Sequence, residues 1–274
     1  MTNDDKSLEN ESQRPPVRFA PFETPFNFKN GDIAHPVYVA GEGPGVLLMH
    51  ELPGITAQFW RLAHWIRDAG FSVYVPDLYA KSGAPLTSDN LARNAIRACV
   101  SREIHLFARN HSSPVTQWLR ALARRMFEER GGRGVGAVGL CMTGNFALSL
   151  ALEEAVIAPV ASEPAMPLDM ATQQSRAALH LSPDERAALI ERSDLEAMAL
   201  RFDGDPTCTA ARFKTLRDLM GGRLSEIILP DSAKHPNGNP FPHAVLTKDL
   251  IDAEGEPTKE ALSRVIAFLT EKLR

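Results

Sequence analysis

The chain has 274 residues, of which 44% are hydrophobic and 23% charged, and its formal net charge is −4. This composition is typical of a globular protein. The small net charge and the lack of a basic run argue against a nucleic-acid partner. Apolar stretches such as residues 45–49 are far shorter than the roughly 20 residues of a membrane-spanning helix, so we expect no membrane partner.

The first residues, MTNDDKSLENESQRPP, are polar and contain no apolar core, which argues against a secretory signal. We expect residues 1–15 to form a disordered arm and residues 16–274 to form one domain. The chain has three cysteines, Cys99, Cys141 and Cys208, and this small, odd number argues against a disulfide framework. They favour reduced thiols and a cytoplasmic location.

Short apolar runs alternate with helical patterns along the rest of the chain. The patterns predict strands at 45–49, 71–75, 134–138, 156–161, 197–202 and 226–229, with edge strands at 17–22 and 34–40. They predict helices at 55–69, 91–108, 114–126, 145–154, 184–192, 210–220 and 259–273. Such alternation favours an α/β fold with a mostly parallel central sheet and helices on both faces.

The segment Val138-Gly-Leu-Cys-Met-Thr-Gly144 places Cys141 between a predicted strand and a predicted helix. This is the context of a nucleophile elbow, with cysteine where serine is commoner. The tight turn requires small residues two positions either side of the nucleophile. Gly139 meets that requirement, whereas Thr143 departs from it and Gly144 follows one place later. The helix N-terminus favours a thiolate, and the N–H of Met142 is directed toward a developing oxyanion. The alternative is that Cys141 is a small buried hydrophobic residue.

In hydrolases with such an elbow, the acid follows the nucleophile along the chain and the histidine comes last. The strand at 197–202 leads to Asp203 and Asp205, of which we prefer Asp205 because it lies deeper in the loop. The alternative is that either aspartate only caps a helix or forms an Asx turn.

The last predicted strand leads to His235 and His243. We predict His243 as the base because apolar residues flank it, whereas His235 stands in a Pro/Asn/Gly-rich stretch. His50 and His64 precede the nucleophile, so an ordinary packed or surface role is favoured for both.

The strand at 45–49 ends in His50-Glu-Leu-Pro-Gly54. The loop after this strand supplies a second oxyanion donor in such enzymes, here the N–H of Leu52. Glu51 is unexpected beside an oxyanion hole, because its charge opposes the charge that develops there. A solvated surface glutamate is the alternative, against which the flanking buried strand and Pro53-Gly54 argue.

Five segments together resemble the dienelactone hydrolase family: His50-Glu-Leu-Pro-Gly-Ile55, Pro76-Asp-Leu-Tyr79, Gly139-Leu-Cys-Met-Thr-Gly144, Gly204-Asp205 and His243-Ala. The similarity extends from about residue 43 to the C-terminus. A cysteine elbow combined with a glutamate in the oxyanion loop is a combination that most serine hydrolases of this fold lack.

The resemblance implies an α/β-hydrolase fold and a carboxylic ester hydrolase with a triad of Cys141, His243 and Asp205. It also implies that Glu51 contacts the resting thiol and helps to form the thiolate. Family members hold a substrate carboxylate with arginines, and Arg102 stands in a comparable place. Three features depart from the family: Thr143 at the elbow, Lys248 rather than an arginine after His243, and the longer segment 162–193.

We therefore expect hydrolysis of a small ester or lactone through a thioester on Cys141, by a monomer or small homo-oligomer. The N–H groups of Met142 and Leu52 would stabilise the oxyanion, and His243 would activate water. No cofactor is implied, and no histidine or cysteine pair has the close spacing of a metal site. Two alternatives remain: a non-catalytic protein that binds a small ligand on this fold, and an esterase or thioesterase for a larger acyl substrate.

Overall fold

A computed structural model describes residues 22, 25–52, 54–78, 113–166 and 172–274. Its frame is one eight-stranded sheet with the order β1-β2-β4-β3-β5-β6-β7-β8. The strands are β1 Phe26–Asn30, β2 Ile33–Ala40, β3 Gly45–Met49, β4 Ser72–Pro76, β5 Val135–Leu140, β6 Val156–Ser162, β7 Ala197–Phe202 and β8 Leu224–Leu229. β2 runs antiparallel to both of its neighbours, and the pairs from β4 through β8 are parallel. The predicted mostly parallel sheet is confirmed.

Seven α-helices lie within the described residues: α1 Ala57–Asp68, α2 Pro114–Arg130, α3 Met142–Ser149, α4 Gln173–Ala177, α5 Pro183–Glu191, α6 Ala210–Met220 and α7 Pro257–Leu273. Short 3-10 helices span Leu150–Leu152, Gly221–Arg223 and Asp231–Ala233. In the same parts of the chain, no helix is long and apolar enough to cross a bilayer.

The side chains of β3 show how the sheet is covered on both faces. Val46 and Leu48 pack into a cluster with α1 and α7. Leu47 and Met49 point the other way, into a cluster with α2 and α3. Successive residues of a strand face opposite sides of the sheet, so a strand that is apolar at every position is buried on both faces. The predicted two-sided helical cover is therefore confirmed.

Several predicted elements have different bounds in the structure. The helix predicted at 145–154 is α3, which begins directly after Cys141 and gives way to a 3-10 turn at Leu150. Its burial on every side removes the amphipathic pattern that would have located its start.

At the N-terminal side of the sheet, β1 (Phe26–Asn30) was not predicted, because its FNFKN sequence is short and mostly polar. The edge strand predicted at 17–22 lies outside the described residues apart from Phe22, which belongs to no strand and packs on Trp60 at 4.7 Å. The helix predicted at 91–108 and the arm at 1–15 also lie outside the described residues.

Candidate active site

Cys141 stands at the turn between β5 and α3, with φ 54° and ψ −120°. This is a region of positive φ that non-glycine residues rarely adopt. Such backbone strain persists where the surroundings fix it, and it is concentrated at functional sites. The side chain is 8% exposed. The chain therefore presents a strained, nearly buried thiol at the carboxyl edge of the sheet.

The residues around Cys141 explain the departure from the usual elbow pattern. A Cβ on Gly139 would lie 2.0 Å from the carbonyl oxygen of Thr143, so that position must be glycine. A Cβ on Gly144 would lie 3.0 Å from backbone atoms of Pro164 and Ser162. The requirement for small residues therefore falls on Gly139 and Gly144, which leaves Thr143 free to carry a side chain.

Thr143 uses that side chain to tie the elbow to the neighbouring strand. Its hydroxyl accepts the N–H of Leu140 at 2.8 Å and donates to the carbonyl of Met49 at 2.9 Å. Met49 is the last residue of β3, directly before the predicted oxyanion loop. Thr143 thus fixes the turn at Cys141 relative to that loop.

Asp205 and His243 meet beside the elbow. The Nδ1 atom of His243 lies 2.7 Å from the Oδ2 atom of Asp205. The other oxygen, Oδ1, accepts the N–H groups of Thr207 at 2.8 Å and Cys208 at 3.0 Å. The Asx turn weighed as an alternative for Asp205 is therefore present, and it aims the second oxygen at the histidine.

Thr207 is a further contact of this pair that the sequence did not indicate. Its hydroxyl lies 2.8 Å from Asp205 Oδ1 and 3.0 Å from His243 Nδ1. Asp203, the other candidate acid, is exposed and pairs with Arg201 at 2.8 Å.

Electrostatic interactions connect Cys141, His243 and Asp205. Burial alone would lower the pKa of His243, but contact with the Cys141 sulfur and with Asp205 raises that pKa well above its ordinary value. Burial alone would raise the pKa of Asp205, but the hydrogen bond and charge of His243 outweigh it and lower that pKa. His243 is thus hydrogen-bonded to Asp205 and lies near enough to the Cys141 sulfur for that sulfur to raise its pKa.

The loop that carries His243 is held by the buried carboxylate of Asp249. This carboxylate accepts the N–H groups of His243 at 3.2 Å, Ala244 at 3.0 Å and Asn239 at 2.7 Å. Sequence reasoning missed Asp249, whose only signal is an acidic residue placed shortly after the histidine. His235, the other candidate base, accepts the N–H of Asn237 at its own Nδ1 and forms a local turn.

Glu51 is buried, so the alternative of a solvated surface residue is wrong. Its carboxylate accepts a short hydrogen bond from the hydroxyl of Thr247. Burial raises the pKa of Glu51, and the bond from Thr247 offsets this only in part. The hydrogen bond that the structure gives Glu51 thus goes to Thr247, whereas the resemblance implies a contact with the thiol of Cys141.

His50 fixes the peptide that contains the predicted oxyanion donor. Its Nε2 atom accepts the N–H of Leu78 at 3.0 Å, so its Nδ1–H donates to the carbonyl of Glu51 at 3.0 Å. The N–H of Gly54 donates to the same carbonyl at 2.9 Å. Because a trans peptide is planar, holding the Glu51 carbonyl also fixes the opposite direction for the N–H of Leu52. Burial lowers the pKa of His50, in keeping with a neutral ring.

The remaining predicted positions are distributed as follows. Met142 is the first residue of α3, where helix N–H groups lack intrahelical partners. Cys208 is fully buried, and burial raises the pKa of its thiol well above the ordinary value. Arg102 and Cys99 lie outside the described residues, so the role of Arg102 in substrate binding stays a prediction.

Comparison with known proteins identifies a matching family and several similar folds. The sequence profile of the dienelactone hydrolase family matches residues 30–226. Among solved structures, a putative dienelactone hydrolase from Klebsiella pneumoniae superposes with a TM-score of 0.60 at 16% identity, covering 87% of this chain and 94% of its own.

Two further structures extend the likeness. The dienelactone hydrolase from Anabaena variabilis gives a TM-score of 0.55 at 15% identity, over 91% of this chain and 97% of its own. A monoglyceride lipase from Saccharomyces cerevisiae gives 0.61 at 13% identity, over 95% and 98%. These likenesses establish the α/β-hydrolase fold. No curated protein sequence matches the chain.

Proposed function

Because the chain belongs to the dienelactone hydrolase family and is a carboxylic ester hydrolase, we propose that it cleaves ester or lactone bonds through a thioester on Cys141. The observation that carries the proposal is the hydrogen bond between His243 and Asp205 beside Cys141, whose sulfur raises the pKa of the same histidine. Asp205 is fixed by two backbone N–H groups and fixes the imidazole in turn. A nucleophile, a base and an orienting group in sequence are the signature of nucleophilic catalysis.

In the first half-reaction, the thiolate of Cys141 attacks the carbonyl carbon of the substrate, while His243 is an imidazolium. A carbon–sulfur bond forms, and the carbonyl electron pair moves to oxygen. The N–H groups of Leu52 and Met142 stabilise that oxyanion, as preorganised donors do in acyl transfer. The carbon–oxygen bond then breaks, and the leaving alcohol takes its proton from His243.

In the second half-reaction, neutral His243 removes a proton from water as the water attacks the thioester. The carbon–sulfur bond breaks with its electron pair returning to sulfur, the acid product leaves, and the thiolate–imidazolium pair is restored. Asp205 stays charged throughout and stabilises the imidazolium, because the pKa of its carboxyl is held below the ordinary value. Without a cofactor, the cycle consumes one water and releases an alcohol and an acid from an ester, or one hydroxy acid from a lactone.

The proposed substrate is a small uncharged or anionic ester or lactone, with Arg102 as the candidate partner of a carboxylate. We also propose that the enzyme acts in a reducing compartment such as the cytosol. Cys141 and Cys208 are both free thiols in the structure, and a thiol nucleophile is lost on oxidation.

The direct test is to trap the thioester. The enzyme is mixed with p-nitrophenyl acetate, quenched in acid and digested, and the acetylated peptide is located by mass spectrometry. An acetyl group that forms on Cys141 in the wild type, forms much more slowly in His243→Ala, and appears on no residue of Cys141→Ala supports the proposal. His235→Ala is the matched control, since that histidine lies in the same loop without touching Asp205. Ester turnover that persists in Cys141→Ala would contradict it.

A further inference from the structure

Glu163 is a fully buried acid beside the candidate active site that takes no part in the mechanism above. It directly follows β6, and its φ is 35°. Few non-glycine residues adopt such a backbone conformation. A strained glutamate in a buried position persists only where its contacts fix it. Those contacts show what it connects.

The backbone around Glu163 is bonded to the nucleophile turn. The carbonyl of Ser162, one residue before, accepts the N–H of Cys141 at 3.0 Å. The N–H of Ala165, two residues after, donates to the carbonyl of Cys141 at 3.1 Å. The N–H of Glu163 itself donates to the carbonyl of Leu200 at 2.7 Å, which fixes the segment to β7. Glu163 therefore belongs to the segment that holds the backbone of Cys141 in place.

The side chain of Glu163 is bonded to the histidine loop. Its Oε2 atom accepts the N–H of Val245 at 3.2 Å, and Val245 stands two residues after His243. The same oxygen accepts a short hydrogen bond from the hydroxyl of Ser162. One side chain thus connects the segment around Cys141 to the loop around His243.

We propose that Glu163 is a positioning residue that sets the placement of His243 relative to Cys141, by holding the histidine loop against the end of β6. This inference rests on the proposed function, since the placement of His243 matters only if it serves Cys141. It assigns a role to a residue that neither the triad nor the oxyanion hole includes.

The charge state of Glu163 fits this role. Burial raises its pKa well above the ordinary value; Glu51 and Asp205 add to that rise, and His243 opposes it. The thiol of Cys208 also lies within range of the same carboxyl. Its Oε1 atom has no hydrogen-bond partner among the described residues, which a neutral acid tolerates better than a carboxylate. Burial therefore favours the neutral form of Glu163, whereas His243 favours the charged form of Asp205.

The test compares Glu163→Leu, which fills the space without an acceptor, with Glu163→Gln, which keeps an acceptor for Val245 and stays uncharged. Readouts are kcat and KM on p-nitrophenyl acetate and the pKa of His243 from NMR titration of its ring. We expect Glu163→Leu to lower kcat at least about tenfold with KM within about threefold, because a displaced base loses part of its roughly 10²–10⁴-fold effect. Glu163→Gln should recover most of kcat and leave the pKa of His243 in place.

Glu185→Ala is the matched control, since Glu185 is a buried acid that caps α5 through Ser182. It should lower stability without changing kcat per folded molecule. A folded Glu163→Leu with wild-type kcat would overturn the inference. So would a Glu163→Gln whose His243 pKa falls by about one unit or more, because a neutral acid and its amide should act alike. If Glu163→Leu does not fold, Glu163→Asp, which shortens the side chain by one methylene, serves in its place.

The titration also separates this inference from the proposed function. A wild-type protein without ester turnover would contradict the proposed function alone. The pKa of His243 in the same variants is measured without turnover: a shift in Glu163→Leu that Glu163→Gln reverses supports the inference, and identical values in all three proteins overturn it.

Discussion

The hydroxyl of Thr143 donates to the carbonyl of Met49 at 2.9 Å, and this hydrogen bond connects the turn at Cys141 to the end of β3. The same hydroxyl accepts the N–H of Leu140. The two proposed oxyanion donors lie close in sequence to the residues that this bond connects. Met142 directly precedes Thr143, and Leu52 belongs to the loop that follows Met49. Thr143 thus holds together the two backbone segments whose N–H groups are proposed to stabilise the same substrate oxyanion.

Thr143→Val keeps the shape of the side chain and removes both hydrogen bonds. The buried N–H of Leu140 and carbonyl of Met49 then lack this partner, so we expect about 1–3 kcal/mol less unfolding free energy in urea denaturation. The acylation rate should also fall. Thr116→Val is the control. The buried hydroxyl of Thr116 donates to the carbonyl of Ser113, directly before α2, so its loss should lower stability only. Equal acylation rates in the two variants would contradict this role of Thr143.

Thr207→Val tests the hydroxyl between Asp205 and His243. The backbone N–H of Thr207 still reaches Asp205, so the Asx turn remains and only the hydroxyl is lost. A hydrogen bond to a charged group contributes about 1.5–3 kcal/mol, so we expect kcat/KM to fall roughly tenfold to a hundredfold. Steady-state kinetics on an aryl ester measures this. An unchanged kcat/KM would show that the hydroxyl does not help to hold the pair.

His50→Ala tests the fixed peptide of the oxyanion loop. In the native structure, the carbonyl of Glu51 accepts hydrogen bonds from the His50 ring and from the N–H of Gly54. Without the ring, only the bond from Gly54 remains, and the N–H of Leu52 loses its fixed direction. Loss of one oxyanion donor costs about 10²–10³-fold in kcat, which sets the upper limit of the effect. His64→Ala, which removes a packed histidine from α1, is the control. A His50→Ala variant as active as that control would contradict the assignment of Leu52.

The buried acid Glu163 predicts a specific pH dependence of stability. Its folded-state pKa lies above the ordinary value of 4.5, so the folded protein binds more protons than the unfolded chain above that pH. Its contribution is fully present below the unfolded pKa and is lost as pH rises toward the folded pKa. The slope is at most about 1.4 kcal/mol per pH unit for one proton.

Glu163→Gln removes this titration and leaves the other buried acids in place. The unfolding free energy of the variant, minus that of the wild type, should therefore increase as pH rises from 5 to 8 in urea titrations. A difference that is flat over this range would show that Glu163 is already charged in the folded protein.

The fold and the chain order of the proposed triad residues could be predicted because both rest on local patterns. The strand before Cys141, the glycine at 139 and the loops after β7 and β8 are each visible within a few residues of sequence. Asp205 could be preferred to Asp203 on position alone, and the structure brings only Asp205 to His243.

The supporting contacts could not be predicted in this way. Glu163 reaches Val245 across 82 positions, and Thr247 reaches Glu51 across 196. Such contacts depend on how loops from separate strands meet at the edge of the sheet. A buried acid at the end of β6 has the same local sequence as an exposed one, so only the folded structure distinguishes them.

The pH dependence of Cys141 alkylation by iodoacetamide, mapped by mass spectrometry, shows whether this thiol is activated by His243. The buried thiol of Cys208 serves as the internal reference. We predict that Cys141 in the wild type reacts at pH 6 well above the rate of a free cysteine, whose thiol has a pKa of about 8.5. That advantage should disappear in His243→Ala and persist in His235→Ala. If Cys141 instead follows the pH profile of a free cysteine in all three proteins, Cys141 is not the activated nucleophile and the account is wrong.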